Sequence, residues 1–435
     1  MKIRLSLLAL LSLFLSSCVI NGKNSSSLNI DGTGVSASSS NFGSESKRIL
    51  LTYSGSAANK EFTNSLIEKF KEERKNIGDN NIYDILYLER EPNQVTFFGG
   101  NWKSGPDIYE FTTDRFSELY KLGVLSKITG TNANFINENY GNYGKNLATF
   151  NGDYYAYPYT GDSTYYIHYN KSFFTSDDVK SIETMLNKAQ LAGKKIGFPL
   201  NDSYYGGAIL YSFGASCNTN YDNDGNIVSI NANFNTDKGL KGAKAIQTIA
   251  SHPALVNAGV YPLSDDDSDI VAVISGHWNS SYYKNKFYSN YACAVMPTIT
   301  IDGDTKHLSA FLDGLAFGIN PKSLEGDIDR ITAAHDLAKF LSNEESQLAR
   351  FENQSLPPCN INAITNEKIS SNPNVKTIIS QYDFAITQNN IPKSFWQESG
   401  NLLYLILEGS IKTEDDLVEN VNLLNDNIIK NTEIM

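Results

Sequence analysis

The spacing of apolar residues changes period repeatedly along the chain. Arg48-Ile49-Leu50-Leu51-Thr52-Tyr53 reads as a strand, and a Ser54-Gly55-Ser56 turn follows it. Phe62, Leu66, Ile67 and Phe70 then recur at helical spacing, with Glu68, Lys69, Lys71 and Glu72 on the opposite face. Residues 83–89 predict a second strand. After the Gly105-Pro106 break, residues 107–111 predict a third, and residues 114–122 predict a helix with Phe116, Leu119 and Tyr120 inward. Strand, helix, strand, helix is the signature of an α/β sheet with parallel pairs. Further along, strands are predicted at 154–157 and 164–169, separated by a break at Pro158-Tyr159-Thr160-Gly161. A helix at 177–192, a strand at 195–199 and a helix beginning near Tyr204 come next. Asp224-Gly225, within residues 221–226, suits the tight turn of a hairpin.

The first residues follow another pattern. Lys2 and Arg4 precede an apolar run, Leu5 to Leu15, that is too short for a mature membrane span. The run closes in Leu15-Ser16-Ser17-Cys18, which resembles a bacterial lipobox: residues 1–17 are then a lipoprotein signal peptide and Cys18 carries lipid. The alternative is an ordinary signal peptide with an incidental cysteine. The lipidated reading puts the protein on the extracellular face of the bacterial cytoplasmic membrane, held by acyl chains. Residues 18–47 are rich in Ser, Asn and Gly and poor in core formers, as a flexible tether would be. Gly32-Thr33-Gly34 matches a dinucleotide fingerprint only loosely, because no strand precedes it.

Composition narrows the function classes. The 435 residues suffice for two sizeable lobes beyond the tether. Net charge is -12 and basic residues do not cluster, which argues against nucleic acid. The chain holds 25 Tyr, suited to wet amphipathic contact surfaces as well as to core. With Cys18 assigned to lipid, Cys217, Cys293 and Cys359 remain, an odd number without a CxxC spacing; zinc and thioredoxin chemistry find no support, and buried thiols or one pair are both open. No cofactor motif is present: Walker A, H-E-x-x-H and G-x-S-x-G patterns are all missing. Asp222 and Asp224 begin like a calcium loop, but the closing Glu is missing. The acidic run at residues 265–269 reads as a solvated loop or a helix cap rather than a metal site.

Candidate chemistry begins at Asp114-Arg115, just past the third predicted strand. Ligands of open α/β sheets sit beyond the carboxyl ends of strands. A carboxylate beside a guanidinium supplies acceptors and donors for neighbouring hydroxyls of a polyol. On local features alone, Asp114 could instead merely cap the following helix.

Residues 105–129, 155–174, 271–283 with 291–299, 311–358 and 391–417 follow in an order and spacing that resembles the family 1 extracellular solute-binding proteins of bacterial ABC importers, nearest the maltose/maltodextrin-binding members. No single motif among them is diagnostic. The resemblance implies an α/β fold of the two-lobed periplasmic-binding-protein type (type II), with crossing hinge strands and a ligand cleft between lobes. Residues 48–158 and 311–357 would form lobe 1, and residues 159–310 and 358–435 lobe 2. It implies an oligosaccharide ligand, ABC permease subunits as partners, a monomeric state and no catalysis, while the lipobox implies membrane attachment through lipidated Cys18. Carried over one by one, Asp114 and Arg115 match the sugar-gripping pair, Asp162 an acid near the hinge, and Asp202 and Tyr204 an acid-x-aromatic site on lobe 2. Trp278 and Trp396 match platforms under sugar rings, and Phe111 stands where the family places a Trp. An indole covers the apolar face of a pyranose at little entropic cost, while carboxylates and Arg satisfy its hydroxyl rim.

Some positions depart from the family pattern. Ser56 and Ala57 replace an acid–lysine pair, and Gln397 replaces a Tyr. The sugar can therefore differ in identity, linkage or length, and a sugar phosphate or a polyamine is a further alternative. Two readings of another class are a lipid-anchored glycosidase, for which Asp114, Asp162 and Asp202 could supply paired carboxylates, and a surface adhesin.

Overall fold

A computed structural model describes residues 46–97, 100–263 and 267–431, with the side chains of 95–97 excepted. The signal segment, Cys18, the tether up to residue 45, the Gly32–Gly34 stretch and Asp265 lie outside the described residues. Strand β1 (Arg48–Gly55) begins in strict alternation, with Ile49, Leu51 and Tyr53 buried and Arg48 and Leu50 exposed. Helix α1 (Lys60–Asn76) turns Leu66, Ile67 and Phe70 inward. Burial of each such side chain contributes about 2 kcal/mol before entropy is counted. Strand β2 (Ile82–Glu89) pairs parallel with β1, as does β3 (Ile108–Thr112), which confirms the predicted parallel arrangement.

The main sheet continues through β4 (Ala156–Asn170), β5 (Lys195–Gly197), β6 (Leu255–Val256), β7 (Ile270–Gly276), β8 (Tyr291–Ala294) and β9 (Leu312–Ile319). Its order is β6-β5-β7-β4-β9-β3-β1-β2, with β8 also paired to β4. The two ends are parallel and the middle antiparallel, because β9 and β4 run against their neighbours. One core cluster gathers around β1, with Leu51, Ile67, Phe317 and Leu337; Cys359 and Ile378 belong to it too. A second gathers Ile196, Ile274, Phe311, Phe395 and Leu424 at the other end of the sheet.

Residues 156–170 are the main departure from the predicted elements. Two strands separated by a break were expected; the chain runs as one fifteen-residue strand. Pro158 does not interrupt it, because its missing N–H falls where the ladder to β9 is already irregular, between the pairs Leu315↔Thr160 and Ala316↔Pro158. The first part of β4 pairs with β9 and the last part with β7 and β8, so this strand joins the two halves of the sheet. At the irregularity Gly314 is obligatory: a Cβ there would stand 2.0 Å from the carbonyl oxygen of Thr160. A third segment closes on the same point. The Pro357 carbonyl accepts from Thr160 Oγ1 at 2.8 Å and from the Gly161 N–H at 3.3 Å.

Smaller departures have local causes. The expected helix at 114–122 opens with a 3-10 turn, Thr113–Arg115, before α2 (Phe116–Lys121), and the helix expected from Tyr204 is only a buried 3-10 segment, Gly207–Tyr211. The hairpin is present, with strands Cys217–Tyr221 and Ile227–Ala232. Asp222 serves its turn, its Oδ1 accepting from the N–H groups of Asp224 and Asn226. Cys217, Cys293 and Cys359 are all free thiols. Among the described residues no helix is long and apolar enough to cross a membrane, and no cluster of three or more His, Cys, Asp and Glu is placed to hold a metal ion.

Candidate functional site

Strand β3 ends at Thr112, and the 3-10 turn that follows lifts Asp114 and Arg115 past the carboxyl edge of the sheet. Neither end of this turn is closed by a side-chain cap bond, so capping does not account for Asp114. Arg115 Nε lies 3.8 Å from Asp114 Oδ2, and Arg115 Nη1 donates to Glu118 at 3.3 Å. Partial burial raises the Asp114 pKa above the usual carboxylate range, although Arg115 opposes this.

These side chains form one wall of a cavity of about 370 Å³, lined by Asp114, Arg115, Glu118, Tyr204, Gln388 and Trp396 among others. The opposite wall belongs to the second core. Helix α3 (Lys393–Leu407) carries Trp396, whose ring meets Phe311 at 5.1 Å and Phe395 at 5.3 Å while one side stays open to the cavity. Tyr204 forms the floor, its hydroxyl donating to the Ser163 carbonyl at 3.1 Å. Aromatic faces beside charged groups, with Lys393 of α3 3.7 Å from Glu118, suit a ligand with an apolar face and a hydroxylated rim.

The remaining predicted residues are placed differently. Trp278 follows β7 and is 55% exposed, its ring 6.3 Å from that of Tyr204, so it extends the aromatic row beyond the cavity. Asp202 accepts from the Tyr204 N–H at 2.8 Å but lines a separate cavity of about 520 Å³ with Asn257, Val260 and Tyr261, beyond the carboxyl ends of β5 and β6. Asp162 lies half-buried at the irregularity of β4, where burial pushes its carboxyl up to about 6. Phe111 corrects the expectation for its position: it is fully buried against Phe116 at 5.1 Å and Tyr109 at 5.8 Å, and it supports the turn from beneath. An apolar ring on the inward face of β3 gains more from this core than from an open cavity. At the two substituted positions, Ser56 caps the short turn Ala57–Asn59 and contacts Glu91 at 3.0 Å.

Sequence reasoning missed Asp313. It lies in β9, 3% exposed, beneath the cavity. Burial, with the Asp114 charge adding to it, pushes its carboxyl up to about 7. The one available signal was a lone acid inside the apolar run Phe311-Leu312-Asp313-Gly314-Leu315.

Residues 99–377 match the family model described as bacterial extracellular solute-binding protein. The chain belongs to that family. It is therefore a solute-binding protein rather than an enzyme, and of an extracytoplasmic type. The maltodextrin-binding protein MdxE of Bacillus subtilis (strain 168) is 22% identical over 424 residues, covering 91% of this chain and 94% of that protein. Among solved structures, the maltodextrin-binding protein MalE1 from L. casei BL23, without ligand, superposes with a TM-score of 0.74 at 20% identity, over 87% of this chain and 98% of the other. A cyclo/maltodextrin-binding protein complexed with maltotetraose gives 0.69 at 20% identity, over 88% and 98%. The fold is the two-lobed α/β arrangement of those proteins.

Proposed function

We propose that this protein captures an oligosaccharide, specifically a malto-oligosaccharide, in the cavity between Asp114-Arg115 and Trp396, and delivers it to the permease subunits of an ABC importer. The observation that carries this reading is the shared cavity: an acid–guanidinium pair from the edge of β3 faces a half-open indole from α3 across about 370 Å³. Asp114 and Arg115 grip ring hydroxyls, Trp396 stacks on one sugar face, and Tyr204 supports the reducing or non-reducing neighbour. Trp278 and Asp202 contact further units of the chain, and Asp162 tunes the hinge. Proteins similar to this chain over nearly all of their length are named as maltodextrin-binding, and one of them is complexed with maltotetraose, which supports the ligand class.

Residues 48–158 with 311–357 act as one lobe, and residues 159–310 with 358–435 as the other, closing on the sugar by hinge motion. Cys18 carries the lipid that holds the protein, as a monomer, on the outer face of the cytoplasmic membrane. At Ser56, Ala57 and Gln397 the chain departs from typical maltodextrin binders, so the sugar can differ from theirs in identity, linkage or length. Tryptophan fluorescence against a panel of gluco-oligosaccharides tests the reading: a saturable response with micromolar affinity, about 8 kcal/mol, is expected. A flat response to every malto-oligosaccharide, with a response to another sugar class, removes the ligand assignment. Cys18→Ser moving the protein from the membrane fraction to the medium tests the anchor.

A further inference from the structure

Asp313 joins both walls of the cavity. Its Oδ1 accepts from Thr113 Oγ1 at 3.2 Å, immediately before Asp114, and from the Gln388 N–H at 3.2 Å. Its Oδ2 accepts from Gln388 Nε2. Thr113 Oγ1 in turn accepts from the Gly314 N–H at 3.1 Å, which fixes the turn to β9. Gln388 itself lines the cavity. Its amide is two-ended, so the end that Asp313 takes decides which end the ligand meets.

We propose that Asp313 is a positioning residue of the ligand cleft: it sets the orientation of the Gln388 amide and so decides whether that wall offers the sugar an acceptor or a donor. An ionised Asp313 takes Nε2 and leaves Oε1 for the cavity. A protonated Asp313 donates its O–H to Oε1, the amide turns over, and Nε2 faces the ligand. The neutral form also relieves repulsion with Asp114 when the lobes close and water leaves. Sugar binding is therefore tighter when Asp313 carries its proton, and the exchange falls near neutrality because burial and Asp114 push this carboxyl up to about 7.

The charged and titratable groups around Asp313 are few. Asp114, Arg115 and Glu118 come from the turn and α2, Tyr143 from the helix Asn142–Ala148, and Tyr204 from the floor; Lys393 comes from α3, and Asp162 lies beside Ser163, the residue of β4 opposite Asp313. Tyr143 and Tyr204 stay neutral throughout, since burial lifts both hydroxyls well above their ordinary range. Burial likewise pushes the Asp162 carboxyl up, to about 6.

The inference rests on the sugar reading of this cavity, and titration calorimetry of the full chain with maltotetraose separates the two. Wild type should bind about tenfold more tightly at pH 6 than at pH 8. Asp313→Asn, a fixed neutral mimic, should bind at pH 8 as tightly as wild type does at pH 6, with less than a twofold change between them. Gln388→Met keeps the bulk of the wall without the amide, and should lose about fivefold at pH 6 and most of the pH dependence. A wild-type affinity that is the same at pH 6 and pH 8, or an unchanged slope in a folded Asp313→Asn or Gln388→Met variant, overturns the role of Asp313 and leaves the sugar site standing. Absence of maltotetraose binding at every pH overturns both.

Discussion

Replacing Trp396 with Ala is the sharpest perturbation of the cavity. The indole packs on Phe311 and Phe395 with one side and faces the cavity with the other. A sugar ring stacked on that open side withdraws about 80 Å² of apolar surface from water, worth about 2 kcal/mol at 25 cal/mol per Å². Affinity should fall about 30-fold. The packed side carries a separate cost: removing the ring leaves a void beside two phenylalanines and lowers folding stability by about 3 kcal/mol. The two effects are separable by calorimetric titration at 25 °C on a sample whose thermal melt shows it fully folded. Trp396→Phe retains most of the stacking face and should lose only about fivefold. Tyr404→Ala, on the same helix but 58% exposed and outside the cavity, provides the comparison and should leave affinity within twofold. If Trp396→Ala binds within threefold of wild type, or falls no further than Tyr404→Ala, the placement of the sugar against this helix is wrong.

Asp114→Asn keeps the shape of the carboxyl but loses its charge; it should weaken sugar binding by about tenfold with little change in thermal midpoint, and an unchanged affinity in titration calorimetry removes Asp114 from the rim. Gly314→Ala sets a methyl group against the Thr160 carbonyl and should destabilise by about 2 kcal/mol in denaturant melts, so a neutral result refutes the close approach of β9 and β4. The thiols of Cys217 and Cys359 are buried, and burial raises both pKa values, so neither should be labelled by an aromatic disulfide reagent until denaturant is added, as read by peptide mass analysis. Folding stability should also fall as pH rises from about 4 to 7: Asp313 and Asp162 hold protons in the folded chain at pH values where the unfolded chain has lost them, and Asp313→Asn should flatten that slope in urea melts.

Periodic segments were the most legible part of the chain. The β1–α1–β2 order followed from apolar spacing alone, because Ile49, Leu51, Leu66 and Phe70 are held by one core and their spacing records it. Residues 156–170 misled for an identifiable reason: Pro158 and Gly161 are ordinary turn formers, and only a partner strand with its own irregularity makes room for them in a ladder. Asp114, Arg115, Tyr204 and Trp396 come from three separated stretches, and their convergence on one cavity was accessible through resemblance rather than through spacing. Phe111 and Trp278 show what spacing cannot convey. Both are aromatic residues close to a strand end, yet one is sealed and the other stands in solvent, a difference set by which neighbouring elements cover them. Asp313 was hidden by its apolar neighbours.

The continuity of β4 and the distance between β3 and β9 bear on how the chain assembles. Strand β3 ends at Thr112, yet its antiparallel neighbour starts at Leu312, and β4 lends hydrogen bonds to both halves of the sheet. No amino-terminal fragment shorter than about 320 residues contains the partners its own sheet requires. Nucleation must wait for contacts of large sequence separation, which slows folding. A chain that stops short of residue 312 leaves β3 and the first part of β4 without the strand they share, and so holds two unjoined pieces of sheet.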